Sequence, residues 1–250
     1  DHTLSGAIIG GVGYTYFGAG SNLHISGTVY AGNIYDNLSA VDGGGTLIVT
    51  HDYYWIGGKW TGAGITQIGT LSTPATMELP ASVDNSAYDL ERQLVNYGTI
   101  TWTKPADINV SNGGSITNQA ASLFDIKVGQ TINPNVGAGD FTNKGILRKS
   151  AGGDANINIL FHTVTGGRTE VKVNLLSFGY GVSMLNDVEV DTGATLGYHG
   201  GMEQDAGTTT DAGTITVAVG DYVEKVGTVT LQAGAITAAN VDVYAGALLS

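Results

Sequence analysis

Short runs of glycine, threonine and two to four β-formers recur from one end of this chain to the other, and they limit its fold more than any other feature. Gly27-Thr28-Val29-Tyr30, Gly45-Thr46-Leu47-Ile48-Val49, Gly98-Thr99-Ile100-Thr101-Trp102, Gly213-Thr214-Ile215-Thr216-Val217 and Gly227-Thr228-Val229-Thr230-Leu231 all have this form. They alternate at the period of a strand, and helical periodicity is nearly absent. One such run cannot bury its apolar side alone. The anchoring glycines lie mostly about 15 to 30 residues apart, a spacing that suits solenoid coils and is too irregular for propeller blades.

Stacked coil upon coil, the runs predict parallel sheets around a long core, with strands about 4.8 Å apart and glycines supplying positive-φ corners. The expected fold is all-β: a right-handed parallel β-helix, or β-solenoid, with irregular coils, forming one domain over residues 1–250. Taking ~23 residues per coil, the chain makes about ten or eleven coils and a rod of roughly 50 Å. An antiparallel sandwich or barrel also shows short strands between glycine turns and stays open as the competing arrangement. Residues 80–95 break the pattern. Leu90 and Leu94 follow Asp84 and Asn85 at a spacing that suits one or two helical turns in an inserted loop, while a corner excursion covering the side of the solenoid is the plainer reading.

Charge narrows the partners. Only 13% of the residues are charged and the net charge is −12, which repels phosphate backbones and anionic headgroups and leaves nucleic acid out. The absence of cysteine removes disulfides and thiolate metal sites, as suits a cytosolic protein or a large bacterial exported one. No apolar stretch reaches the ~18 residues of a membrane span, so no membrane insertion is expected. The opening Asp1-His2-Thr3, without Met or a signal pattern, reads as a processed form or an excised segment.

Four stretches carry a family likeness: Trp55-Ile56-Gly57-Gly58-Lys59-Trp60-Thr61-Gly62-Ala63-Gly64, Leu94-Val95-Asn96-Tyr97-Gly98-Thr99-Ile100-Thr101-Trp102, Gly113-Gly114-Ser115-Ile116-Thr117-Asn118 and Phe141-Thr142-Asn143-Lys144-Gly145-Ile146-Leu147-Arg148-Lys149. Over roughly residues 40 to 175 the chain resembles bacterial β-strand-repeat surface proteins, which belong with the parallel β-helices of autotransporter passengers and filamentous-haemagglutinin-type adhesins. The likeness implies an extracellular or cell-surface location and brings no catalytic residues with it. It departs at Phe161-His162-Thr163, where a further asparagine would be expected.

Several residues are candidates for function. Asn96, Asn118 and Asn143 stand beside glycines or strand ends, where amides bond turn groups and form ladders between stacked coils. Tyr53, Tyr54, Trp55 and Trp60 form the densest aromatic set. Exposed, they would stack on sugar rings; pointing alternately inward, they would line the core. The apolar Leu4, Ala7, Ile8, Ile9, Ile236, Leu248 and Leu249 are expected subunit contacts, since an uncovered solenoid coil recruits other strands. The expected partners are therefore further copies of the chain, adjoining repeats of a longer chain, or glycans.

Chemistry is thinly marked. Asp36, Asp42, Asp52, Asp107, Asp125, Asp140 and Asp154 are scattered, whereas glycoside hydrolysis needs two facing carboxylates. Gly197-Tyr198-His199-Gly200 only faintly resembles a polygalacturonase element. No histidines fall at paired ligand spacing, and Gly10-Gly11-Val12-Gly13 lacks the aspartate of a calcium nonapeptide. No catalytic residue, metal site or cofactor is expected beyond adventitious calcium at Gly/Asp corners. The expectation is a structural or adhesive extracellular rod that self-associates end to end. A secreted glycan-binding module and a polysaccharide lyase or hydrolase are the alternatives.

Overall fold

In the glycine–threonine runs beginning at Gly27, Gly45, Gly98 and Gly213 the threonine faces outward and the next residue inward, so Val29, Leu47, Ile100 and Ile215 are buried while their threonines stay accessible. Strand alternation thus gives every run one apolar side. The computed structural model of the chain describes residues 1–250 apart from 7, 83–85, 181–182, 185, 201, 205–206, 219–221, 225–226, 232–234, 239–240, 244–246 and 250. The side chains of 12, 183–184, 222–224, 227–231, 242–243 and 247–249 also lie outside the description.

The strands stack in parallel as an all-β solenoid of about ten turns. Each regular coil contributes three strands. The first sheet runs through Thr46–Val49, Ile65–Ile68, Gln93–Asn96, Ser115–Asn118, Asp140–Asn143 and Leu160–Thr163. The second contains Thr76–Leu79, Thr99–Trp102, Leu123–Ile126, Ile146–Lys149 and Arg168–Val171. The third contains Tyr88–Leu90, Ile108–Val110, Thr131–Pro134, Ala155–Ile157 and Leu175–Phe178. Every described pairing is parallel, so the antiparallel alternative is corrected.

Two details depart from the sequence reading. The glycine that leads a strand does not need positive φ at Gly45, Gly98 or Gly213; it is there because the corner presses on the coil beneath. A Cβ on Gly98 would run into the Ala75 carbonyl, and one on Gly45 into that of Gly27. Close backbone approach is what selects the residue. The helical turn expected near Leu90 and Leu94 is also corrected. Both residues lie on strands, Tyr88–Leu90 and Gln93–Asn96, with their side chains in the core, because each pairs in register with the next coil. Residues 83–85 of that segment lie outside the described residues.

The first coils are less regular. Thr28–Asp42 is one strand of 15 residues that turns two corners without breaking. Its register against Asp52–Trp60 shifts after Asp36 and again after Asn37, with Leu38 at φ 62° and Gly58 at φ 105° facing each other across the two coils. Bulges of this kind bend a strand and redirect its side chains.

Candidate functional site

The bent coils place a row of tyrosines on the outer face of the second sheet. Tyr16 pairs in register with Tyr35, and Tyr35 with Tyr54. Their rings stack along the solenoid axis, 5.6 Å apart with 18° between planes in the first pair and 5.9 Å with 26° in the second. Tyr14 lies edge-on against Tyr54 at 5.5 Å. Asn37 Nδ2 donates to the Tyr16 hydroxyl at 2.9 Å, and the Tyr14 hydroxyl donates to Asp52 Oδ2 at 3.3 Å. Of these rings the sequence reading singled out Tyr54 alone. The signal was present, since Tyr16, Tyr35 and Tyr54 recur at an interval of 19 residues, one coil in this region.

The other members of the expected glycan strip are corrected. Tyr53, Trp55 and Trp60 are fully buried and cannot meet a ligand from solvent. Trp55 and Trp60 stack at 4.0 Å, and the Tyr53 ring meets Trp60 edge-on at 5.3 Å. Alternation turns Tyr53 and Trp55 inward. Trp60 joins them because the Gly57–Gly58 bulge shifts the phase between the two tryptophans.

This aromatic core surrounds Asp36, which has no solvent exposure. Its carboxylate accepts from Ser39 Oγ at 2.6 Å, Ser39 N at 3.1 Å, Tyr53 Oη at 2.8 Å and Trp60 Nε1 at 3.3 Å. Burial raises its pKa above the ordinary value, and the donors from Ser39, Tyr53 and Trp60 pull it back only in part. Two cations are buried nearby. Arg92 Nη2 donates to the carbonyls of Gly45 at 2.9 Å and Ile65 at 3.0 Å, and desolvation lowers its pKa to about 10. Lys104 Nζ donates to the Ile56 carbonyl and sits 5.0 Å from the Tyr88 ring centre. These charges serve as backbone caps at the corners of the coils.

A groove of about 540 Å³ opens beside the bulged corner, lined by Ser21, Asn22, Leu38, Ser39, Lys59 and Asp89 among others. Its volume falls within the range of small-ligand sites. Lys59 is held by Glu91 at 2.9 Å, across from the hydroxyl and amide groups of the first coil. The groove mixes hydrogen-bonding side chains with the apolar Leu38, a lining suited to a hydroxylated ligand.

The three asparagines are buried at the corner between the first and second sheets. Asn96 Nδ2 donates to Asn118 Oδ1 at 2.8 Å, and Asn118 Nδ2 to Asn143 Oδ1 at 2.9 Å. Each also holds the following turn: Asn96 Nδ2 bonds the Leu123 carbonyl, Asn118 Nδ2 that of Ile146 and Asn143 Nδ2 that of Arg168. The next rung is Thr163, too short to continue the ladder, and its buried hydroxyl finds no partner among the described residues.

Among the expected subunit contacts, Ile8 is 81% exposed, while Leu4, Ile9 and Ile236 pack partly against the core. Ala7 lies outside the described residues, as do the side chains of Leu248 and Leu249 on the strand Ala247–Leu249. His2–Leu4 pairs with Asn22–Ile25 on one side only among the described residues. Of the scattered aspartates, Asp107 bonds Asn133 at 3.0 Å and Asp125 bonds Ser150 at 2.6 Å. Among the described residues no three His, Cys, Asp or Glu side chains converge as metal ligands.

Set against protein-family models, curated proteins and solved structures, the chain finds no significant match. The parallel solenoid agrees in fold with the β-strand-repeat resemblance, which rests on the quoted motifs.

Proposed function

We propose that this chain is a structural and adhesive β-solenoid of a bacterial cell surface or extracellular matrix, a rod that continues by coil-on-coil contact with a further copy or with adjoining repeats. One observation carries the reading: polar side chains across several coils are committed to holding one coil to the next. Asn96, Asn118 and Asn143 bond each other, Arg92 bonds two neighbouring corners, and outside the core Arg148 bonds Glu170 at 2.7 Å while Lys172 reaches Glu189 and Asp191. An open strand edge such as His2–Leu4 accepts a further strand, and the exposed Ile8 adds apolar surface beside it. Electron microscopy of the purified protein tests this. Rods or filaments longer than one chain support it, and dispersed monomers at every concentration overturn self-association.

A second reading, carbohydrate binding, is favoured by the groove lined by Ser21, Asn22, Lys59 and Asp89. The stacked rings of Tyr35 and Tyr54 occupy one another's faces, which makes the row a poor sugar platform and moves the contact to the groove and Tyr14. Co-sedimentation with a panel of insoluble polysaccharides, with Asp89→Ala as the loss-of-binding variant, checks it.

A further inference from the structure

The tyrosine row has a chemistry that neither scaffold nor sugar binding uses. Tyr16, Tyr35 and Tyr54 are near-parallel phenols on consecutive rungs of one sheet, 5.6 and 5.9 Å apart, and Tyr16 is 60% exposed. The parallel ladder pins the register of their backbones, and the Asn37 bond to the Tyr16 hydroxyl steadies the outermost ring. Two reactive groups held at such a distance combine far faster than groups that must find each other by diffusion. The chain has no cysteine, so a covalent brace between coils has to come from other side chains.

We propose that Tyr16, Tyr35 and Tyr54 form an oxidative cross-linking site, in which neighbouring rungs are joined as dityrosine by hydrogen peroxide acting through a haem-peroxidase-class one-electron oxidant. Each of two phenols loses one electron and one proton to become a phenoxyl radical. The radicals combine through the ring carbons ortho to oxygen, forming one C–C bond. Each of those carbons then releases its hydrogen as a proton, and each phenoxyl oxygen regains one, restoring two phenols. The two electrons and two protons removed overall reduce one peroxide to two waters. The product is a staple within one chain, on the outside of the second sheet, joining coils 19 residues apart in sequence. It holds the bulged first coils in register and leaves the core untouched.

Tyr30 and Tyr180 are exposed as well, at 45% and 58%, but among the described residues neither contacts another tyrosine ring. They can couple only between molecules, which makes them the internal control. The inference does not depend on the scaffold reading.

The test treats the dilute full-length chain with a haem peroxidase and limiting hydrogen peroxide. Dityrosine fluorescence, intact mass and a denaturing gel are then read together. The expected result is fluorescence in the monomer band, with loss of a pair of hydrogens per link. After cleavage before aspartates, a linked peptide joins the segment ending at Tyr35 to the one carrying Tyr54, and fragment spectra tell Tyr35 from Tyr14 in that link and place the Tyr16–Tyr35 link inside the first segment. Tyr35→Phe interrupts both stacked pairs, and combined with Tyr14→Phe, which removes the edge-on ring 5.5 Å from Tyr54, it abolishes most of the monomer signal, while Tyr30→Phe and Tyr180→Phe leave it unchanged. The cross-linked wild type melts several degrees above the untreated protein, since a link between coils restricts the unfolded chain. Circular dichroism of the doubly substituted Tyr14→Phe, Tyr35→Phe protein verifies its fold. Dityrosine confined to covalent dimers, or undiminished monomer signal in that folded double variant, overturns the proposal.

Discussion

The bent coils between residues 28 and 110 and the regular coils between 115 and 217 solve the same packing problem by different means. In the first region a 15-residue strand turns corners through bulges, and the core holds three tryptophans with the buried Asp36, Arg92 and Lys104. In the second, four-residue strands repeat almost without variation, and Phe141, Phe161, Phe178 and Tyr198 form a run of ring contacts at 4.5 to 5.5 Å, edge-on between Phe141 and Phe161 and stacked from Phe161 to Tyr198. In the regular coils the asparagine ladder and the buried Lys149 satisfy the corners, the lysine ammonium donating to the carbonyls of Ala151 and Gly152. In the bent coils Lys104 reaches the Ile56 carbonyl beside the Gly57–Gly58 bulge, and Arg92 reaches the Gly45 and Ile65 carbonyls at the neighbouring corner. Buried charge in both regions has the same physical reason: a corner carbonyl turned into the core needs a donor long enough to reach it.

That contrast can be broken most directly at Trp60. Trp60→Ala is expected to cost about 3–5 kcal/mol. In a stack where each coil touches only its neighbours, the loss should appear as faster amide exchange within residues 28–110, with protection at 140–217 kept. Equal loss in both regions would show a single cooperative unit instead.

Arg92→Met tests what the buried cation contributes at these corners. It fills the space but removes the guanidinium donor from the Gly45 and Ile65 carbonyls, of which Gly45 keeps the Ile65 N–H at 3.1 Å, for an expected cost of about 1–3 kcal/mol that urea denaturation measures. A stability equal to wild type would mean that the guanidinium is not needed to satisfy those corners. Asn118→Ala is the matching change in the regular coils. It removes the acceptor of Asn96 and the donor to Asn143 and Ile146, for an expected cost of about 2–3 kcal/mol.

The acid response sharpens the comparison further. The Asp36 pKa is raised in the fold, chiefly by burial, so its contribution to stability is fully present below the unfolded-state value and is lost as pH rises through the folded one. The urea midpoint should therefore carry a component that falls as pH rises through that window, and Asp36→Asn should remove it. An unchanged pH slope in the variant would assign that component elsewhere. The smallest effect is expected on the outer face of the second sheet, where Arg148→Gln leaves the buried Glu170 its second partner, Arg168 at 2.9 Å, and should cost about 1 kcal/mol.

Much of this was legible in the residues, and what was missed has a common cause. Alternation was enough to bury Val29, Leu47 and Ile100, and the setting of Asn96, Asn118 and Asn143 beside strand ends and glycines already suggested a ladder. The facing of Trp60 was not legible, because a bulge at Gly57–Gly58 changes the phase and no local pattern announces it. The strand nature of Leu90 and Leu94 was hidden by a helix-like spacing that in-register pairing with neighbouring coils overrides. The groove at Ser21, Asn22, Lys59 and Asp89 joins residues from different coils, so no local motif could contain it.

The sequence by itself determined short glycine-cornered strands with alternating faces, because runs that short have one apolar side and can bury it only against one another, and that alternation already turned Tyr53 and Trp55 inward. The parallel stacking, and the facing of residues beyond a bulge, were decided by tertiary structure. The vertical register of one coil on the next selects the neighbours of every side chain, and it placed three tyrosines in a column at the surface while the bulge withdrew Trp60 into the core.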